Sequence, residues 1–235
     1  MVGLGPGGQE TLTPQAKEAL LQAEVVVGYT TYLKLIESLI AGKVILASGM
    51  KKEIDRARAA VVEALTGKHV AVVSGGDPGV YGMAGPVLEV APAGLAVDVI
   101  PGVTAATAAA ALLGAPLTHD FAVISLSDLL TSWEVIERRL AAAAEADFVL
   151  VLYNPRSKGR AEHLQNALEI IKKYRDNSTP VGIVKDYGRA DEKQIITTLA
   201  LLLPEDVDMT TTVVIGNSQT KLLHGRMVTP RGYRL

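Results

Sequence analysis

The sequence predicts an α/β protein made of two α/β domains, the first around a mostly parallel sheet and the second around a mixed one. Three observations carry this. Short β-branched runs alternate with helical segments through the first half, the signature of strand–helix–strand units. Aromatic residues are only 4% of the chain against 49% hydrophobic residues, so the core is aliphatic, as suits a sheet covered on both faces. In the last quarter the strands follow one another through short connections, which points to mixed pairing.

The elements follow in order. Thr13-Pro14 opens the first helix, with Thr13 as N-cap and Pro14 at the first helical position, where its missing N–H costs nothing. Glu24–Gly28, Val44–Leu46, His69–Val73 and Ala96–Ile100 read as strands. Between them Ile54, Ala57, Val61, Ala64 and Leu65 have the spacing of one buried helical face. An Ala-rich helix from Ala105 to Leu113 ends in the turn-rich stretch Gly114-Ala115-Pro116-Leu117-Thr118-His119, which divides the chain into domains 1–114 and 115–235. The second series starts with the strand Phe121–Ser125 and a helix carrying Trp133, Ile136 and Leu140. It continues with strand Phe148–Leu152, a helix with Leu164, Leu168 and Ile171 inward, and strand Val181–Val184. Gln194–Thr198, Thr212–Ile215 and Arg226–Val228 complete the strands.

Composition excludes several classes of function. With no cysteine in 235 residues there are no disulfides, thiolate metal sites or cysteine nucleophiles, and a protein metal site is not expected. A net charge of −2 argues against nucleic-acid binding through a basic surface. The longest apolar runs are too short to cross a bilayer, so no membrane association is expected. Met1-Val2-Gly3 leads into a glycine turn with no basic and apolar leader, which fits the cytoplasm.

Three glycine loops stand out. Gly3-Leu4-Gly5-Pro6-Gly7-Gly8 has the spacing of a dinucleotide fingerprint. That fingerprint needs a helix N-terminus directly after the loop to meet a pyrophosphate. Here the helix waits until Thr13-Pro14, Pro6 removes a donor, and the next strand ends in Gly28-Tyr29 rather than in a ribose-binding acid. A nicotinamide oxidoreductase is therefore a poor fit. The second loop, Ser74-Gly75-Gly76-Asp77-Pro78-Gly79-Val80-Tyr81-Gly82, leaves a strand at its carboxyl end, where open α/β sheets bind ligands. Its adjacent glycines admit a flat ligand to the backbone, and Asp77 adds a carboxylate, although a plain turn with Asp77 as a helix cap would use the same residues. Pro101-Gly102-Val103-Thr104-Ala105 follows the next strand in the same way. Two such loops at successive strand ends predict a ligand crevice.

These loops, taken with Leu12-Thr13 and Pro116-Leu117-Thr118-His119-Asp120, resemble in order and spacing the tetrapyrrole (cobalamin and sirohaem) methyltransferase family. Ile124-Ser125-Leu126-Ser127-Asp128-Leu129-Leu130-Thr131 and Leu152-Tyr153-Asn154-Pro155-Arg156-Ser157 are similar to the branch that methylates C17 of precorrin-3B. The resemblance covers essentially the whole chain, with the first strand almost absent. It implies two α/β domains with S-adenosylmethionine folded into a cleft between them, in a homodimer. By the same resemblance the cofactor meets Pro6, Gly75, Gly76, Asp77, Val80, Thr104 and Ala105, with Asn154, Tyr187 and Thr211 over the adenine.

The chemistry implied is C17 methylation of precorrin-3B, or of its cobalt counterpart, with ring contraction. A sulfonium methyl is already electrophilic, so positioning supplies most of the rate and no nucleophile is needed. Ring contraction requires a proton removed from a hydroxyl and a carboxylate delivered to a lactone, so an acid/base residue is expected. His119, Asp128 and Tyr81 are the leading candidates, with Lys185 and Asp186 behind them. Each has an ordinary structural alternative: a hydrogen-bonded turn histidine, a cap for the helix near Ser132, a packed ring. The substrate's carboxylates call for positive charge, and Arg156, Lys158 and Arg160 after a strand end are the candidates, whereas Lys51-Lys52 read as solvated charge. The alternatives are a sibling methyltransferase acting at C11, C20 or diphthamide, and a non-enzymatic nucleotide-binding module.

Overall fold

Thr13 accepts the N–H of Ala16 at 3.1 Å, and Pro14 takes the first position of helix α1 (Pro14–Gln22), as its capping chemistry dictates. The computed structural model describes residues 1–157, 161–202 and 207–234. It divides into two units, Met1–Ala105 and Ala106–Leu235.

In the first unit, β1 (Val2–Gly3), β2 (Val25–Tyr29), β3 (Val44–Ser48) and β4 (Val70–Ser74) form one sheet in the order β1-β4-β2-β3, parallel throughout. Alternation along β2 feeds two cores. Val26 packs with Leu20 of α1 and with Leu33 and Ile36 in and after α2 (Thr30–Leu35). Val25 and Val27 face Ala57 and Ala60 of α3 (Glu53–Leu65) and Val87 of α4 (Ala84–Val90). Both faces are covered over β2 and β4, which is why these strands read as unbroken apolar runs, while the edge strand β3 leaves Val44 and Ile45 exposed.

Two expectations are corrected here. Ala96–Ile100 does not form a strand; Ile100 alone bridges Val2. Its partner β1 is two residues long, so there is no ladder left to extend. On α3 the buried face is Arg56, Ala57, Ala60 and Val61, while Ile54 and Leu65 are exposed at the helix ends. Arg56 turns inward because its head finds acceptors: Nε donates to Ser48 Oγ and Nη2 to Gly49 O, both at 2.9 Å.

In the second unit, β6 (Phe121–Ser125), β7 (Val149–Tyr153), β8 (Pro180–Lys185), β9 (Lys193–Thr198) and β10 (Thr211–Ile215) form a mixed sheet in the order β6-β7-β10-β8-β9. β6 and β7 are parallel, β10 runs antiparallel to β7 and β8, and β9 is antiparallel to β8. Helices α6 (Trp133–Glu145) and α7 (His163–Ile171) cover one face, burying Ile136, Leu140, Leu164, Leu168 and Ile171 against Leu150, Leu152 and Ile183. Each such leucine or isoleucine contributes roughly 1.5–3 kcal/mol by leaving water. The other face packs on α5 (Ala105–Leu113), whose Ala106, Ala109 and Leu113 meet Val149, Val151, Val184 and Val214. The division between the units falls between Ala105 and Ala106, ahead of the turn at Gly114. Within that turn lies β5 (Gly114–Ala115), which pairs in parallel with β12 (Arg226–Val228), itself antiparallel to β11 (Lys221–Leu223). Neither β5 nor β11 is apparent from the sequence, because two or three residues carry no periodicity. No described helix is long and apolar enough to cross a membrane.

Candidate cofactor and substrate site

In the first unit the three glycine loops are one structure. Because β1 and β4 are neighbours, their loops leave side by side: Gly5 N–H donates to Gly76 O at 3.1 Å and Gly76 N–H to Gly5 O at 2.8 Å. Gly5 and Gly76 take φ of +73° and +67°, which side chains rarely tolerate. The third loop is clamped to the second by Asp77. Its Oδ1 accepts Gly79 N–H at 2.8 Å and its Oδ2 accepts Gly102 N–H at 3.0 Å. A Cβ on Gly3 would lie 2.6 Å from Gly102 N, so backbone packs directly on backbone.

Pro6, Gly75, Gly76, Asp77, Val80, Thr104 and Ala105 thus come to one end of the first sheet. A Cβ built on Gly76 would have nothing closer than 3.8 Å, with the backbone of Val103, Thr104 and Ala105 bordering that space. Gly75 is backed by Tyr32, whose ring would lie 2.7 Å from a Cβ there. Val80 N–H closes a turn onto Asp77 O at 3.2 Å. Tyr81 is 61% exposed with a φ of +52°, an unusual conformation for a bulky residue. Arg56, which the sequence reading missed, lies at the carboxyl end of β3. It is 5% exposed, with no carboxylate partner among the described residues.

In the second unit the carboxyl ends of β6, β7 and β8 and the start of β10 share one end of the sheet. Ser125 is in register with Tyr153, and Asn154 Nδ2 donates to Ser125 Oγ at 2.9 Å. Tyr153 Oη accepts Ala106 N–H at 2.7 Å, satisfying one orphan donor of the first turn of α5. Asn154 and Asp186 take positive φ, 52° and 49°, at the ends of β7 and β8. Tyr187 is half-buried beside Val184 and Val214. Thr211, at the start of β10, exchanges two 3.0 Å hydrogen bonds with Asp208, which Lys185 Nζ also meets at 2.5 Å. Burial would raise the Asp208 carboxyl, but hydrogen bonds from Lys185, Thr210 and Thr211 hold it at about 2.

Asp128 does not cap α6; its Oδ2 lies 3.6 Å from Nε2 of His163, the first residue of α7. His163 escaped the sequence reading because a lone histidine at a helix start has no pattern to mark it. His119 lies at the other end of β6, where its Nδ1 accepts Asp120 N–H at 2.8 Å, so the structure does not bring it to Asp128. Arg156 is half-buried beyond Asn154, and Lys158 and Arg160 lie outside the described residues. Lys52 pairs with Asp55 at 3.1 Å on the surface. The described residues hold no cluster of three metal-ligating side chains.

Bare glycine loops at the carboxyl ends of the parallel sheet in the first unit, and a polar end of the mixed sheet in the second, place the chain among α/β enzymes. The sequence profile of the tetrapyrrole (corrin/porphyrin) methylases matches residues 1–202. The chain belongs to this family, and is a methyltransferase. A Salmonella typhimurium protein named "probable cobalt-factor III C(17)-methyltransferase" is 52% identical over all of this chain and 99% of its own length. The crystal structure of the methyltransferase CobJ superposes with a TM-score of 0.92 at 38% identity, covering 97% of this chain and 98% of that one. A uroporphyrin-III C-methyltransferase from Thermus thermophilus, complexed with S-adenosylhomocysteine, gives a TM-score of 0.70 at 26% identity, covering 92% of this chain and 95% of its own.

Proposed function

We propose that this protein transfers the methyl group of S-adenosylmethionine to C17 of a tetrapyrrole of the cobalt-factor III or precorrin-3B type, with contraction of the macrocycle. The observation that carries the substrate is the meeting of Ser125 and Asn154 across β6 and β7. It joins the two stretches that resemble the C17 branch, although they lie 29 residues apart in the chain.

The residues present fit the cofactor. The loop face at Gly76 is bare backbone, and the Asp77 carboxylate, accepting two N–H groups, keeps lone pairs for a third donor. Bound there, S-adenosylmethionine supplies an electrophilic methyl on a sulfonium. The chain's part is to hold and orient it: Pro6, Gly75, Gly76, Asp77, Val80, Thr104 and Ala105 from the first unit, and Asn154, Tyr187 and Thr211 for the adenine. Fixing the methyl in line with the accepting carbon supplies most of the rate. Arg156 is assigned to a substrate carboxylate. We further read the enzyme as a cytoplasmic homodimer, which sedimentation would test.

The test is incubation with S-adenosylmethionine and either cobalt-factor III or precorrin-3B, followed by mass spectrometry. One of the two is expected to gain a methyl group. If neither does, the C17 assignment fails.

A further inference from the structure

We infer that His163, held by Leu126, Trp133 and Asp128, is the group that takes a proton from the substrate during ring contraction; this rests on the reaction proposed above. The imidazole is fixed on three sides. Nδ1 lies 3.0 Å from the carbonyl oxygen of Leu126, and a carbonyl only accepts, so Nδ1 carries a hydrogen. One ring face stacks on Trp133 at a centroid distance of 4.5 Å and 23° between planes. Trp133 is itself pinned by Nε1–H donation to Glu137 at 2.9 Å.

In the neutral ring that keeps its hydrogen on Nδ1, Nε2 carries the lone pair, and Asp128 Oδ2 stands 3.6 Å from it. Once Nε2 takes a proton, the ring's positive charge stands beside the Asp128 carboxylate and is attracted by it. The side chains are 16% and 38% exposed, so the pair is sheltered yet reachable.

Its place in the fold points to the substrate end. Leu126 to Asp128 leave the carboxyl end of β6, beside Asn154 at the end of β7, and ligands of α/β sheets bind beyond such ends. The step balances without a co-reactant. An O–H bond of a substrate hydroxyl or carboxyl group breaks, the proton goes to Nε2, and the electron pair stays on the substrate oxygen. The imidazolium later returns its proton to product or water.

A structural role would be to tie the loop after β6 to α6 and α7. His163→Gln separates the two roles, because glutamine keeps an N–H for Leu126 but has no nitrogen that takes a proton. Wild type, His163→Gln, His163→Ala and Asp128→Asn are incubated with S-adenosylmethionine and whichever substrate the wild type methylates. Released S-adenosylhomocysteine and ring-contracted product are followed separately. Both His163 variants are expected to lose about 100-fold or more in the rate of contraction, with KM changed by less than about threefold. Asp128→Asn should lose about 10-fold, and added imidazole should partly restore His163→Ala. Contraction at the wild-type rate in His163→Gln overturns the inference, as does a wild type that methylates without contracting. A wild type that methylates neither substrate overturns the C17 reading instead.

Discussion

Asp77 Oδ2 accepts the N–H of Gly102 at 3.0 Å, binding together two loops that lie 25 residues apart in the chain. The other oxygen accepts Gly79 N–H at 2.8 Å, so the carboxylate is a clamp between the loops as well as the cofactor ligand proposed above. Asp77→Ala should leave two loop donors without acceptors, costing about 1–3 kcal/mol of stability. Calorimetric titration with S-adenosylhomocysteine should show at least about 10-fold weaker binding, since a charged acceptor contributes roughly 1.5–3 kcal/mol. Asp77→Asn, which keeps one acceptor oxygen, should fall between. Unchanged affinity in a folded Asp77→Ala protein would place the cofactor elsewhere.

Glycine substitutions separate the loops from the rest of the first unit. A Cβ on Gly102 would collide with the Gly76 carbonyl and stand 2.9 Å from Gly3 Cα. Gly102→Ala should therefore push the loops apart and abolish measurable cofactor binding while circular dichroism stays native. Gly85, inside α4, has open space around it and an ordinary helical φ. Gly85→Ala should leave cofactor affinity unchanged, while the Pro86 ring, which disfavours a helical residue with a Cβ before it, keeps the gain in urea stability below the roughly 0.5–1 kcal/mol of an ordinary helical site.

The Lys185–Asp208 contact predicts the acid limit of the second unit. Asp208 is depressed to about 2, so its contribution is fully present above the usual carboxylate value and lost as pH falls through about 2. Lys185 is raised by its hydrogen bond with Asp208, so its share is present below the usual lysine range and lost above the folded-state value. Urea midpoints measured from pH 5 down to pH 2 should fall less steeply in Asp208→Asn than in the wild type, on the order of a few tenths of a molar less. Identical slopes would remove the contact from the stability of the unit.

Gly182 is the place where β8 lets α5 approach. A Cβ there would lie 2.6 Å from Leu113 Cδ2, within a fully buried contact. Gly182→Ala should cost about 1–3 kcal/mol by overpacking, and Leu113→Ala about 2–5 kcal/mol by leaving a cavity. The double variant should cost clearly less than the sum, because each change makes room for the other. Additive losses in urea unfolding would argue against the contact.

Much of this was legible in the residues. Unbroken apolar runs such as Val25–Val27 announced strands buried on both faces, and Gly75-Gly76-Asp77 announced the loop that leaves the carboxyl end of β4. After the N-terminal glycine loop a short 3-10 turn at Gln9–Thr11 stands where the dinucleotide fingerprint needs a helix, in line with the late helix start read at Thr13-Pro14. What sequence could not show was partnership. Nothing local says that Asp77 serves Gly102, or that Asp128 faces His163 rather than capping α6, because each is a meeting of distant segments. Arg56 defeated the helical stripe for the same reason: the acceptors that let it turn inward, Ser48 and Gly49, belong to another element.

The pairing of Gly114 with Met227 has a consequence for how the molecule comes into being. Every ladder of the first sheet is drawn from residues 2–74, so that unit can assemble while the chain is still emerging from the ribosome. The second unit cannot close its small three-stranded sheet until β12 has been made. The glycine loops are therefore in place before the segment that completes their partner unit exists. Closing Gly114 onto Met227 brings together residues far apart in the chain, an entropic cost that local pairing does not carry.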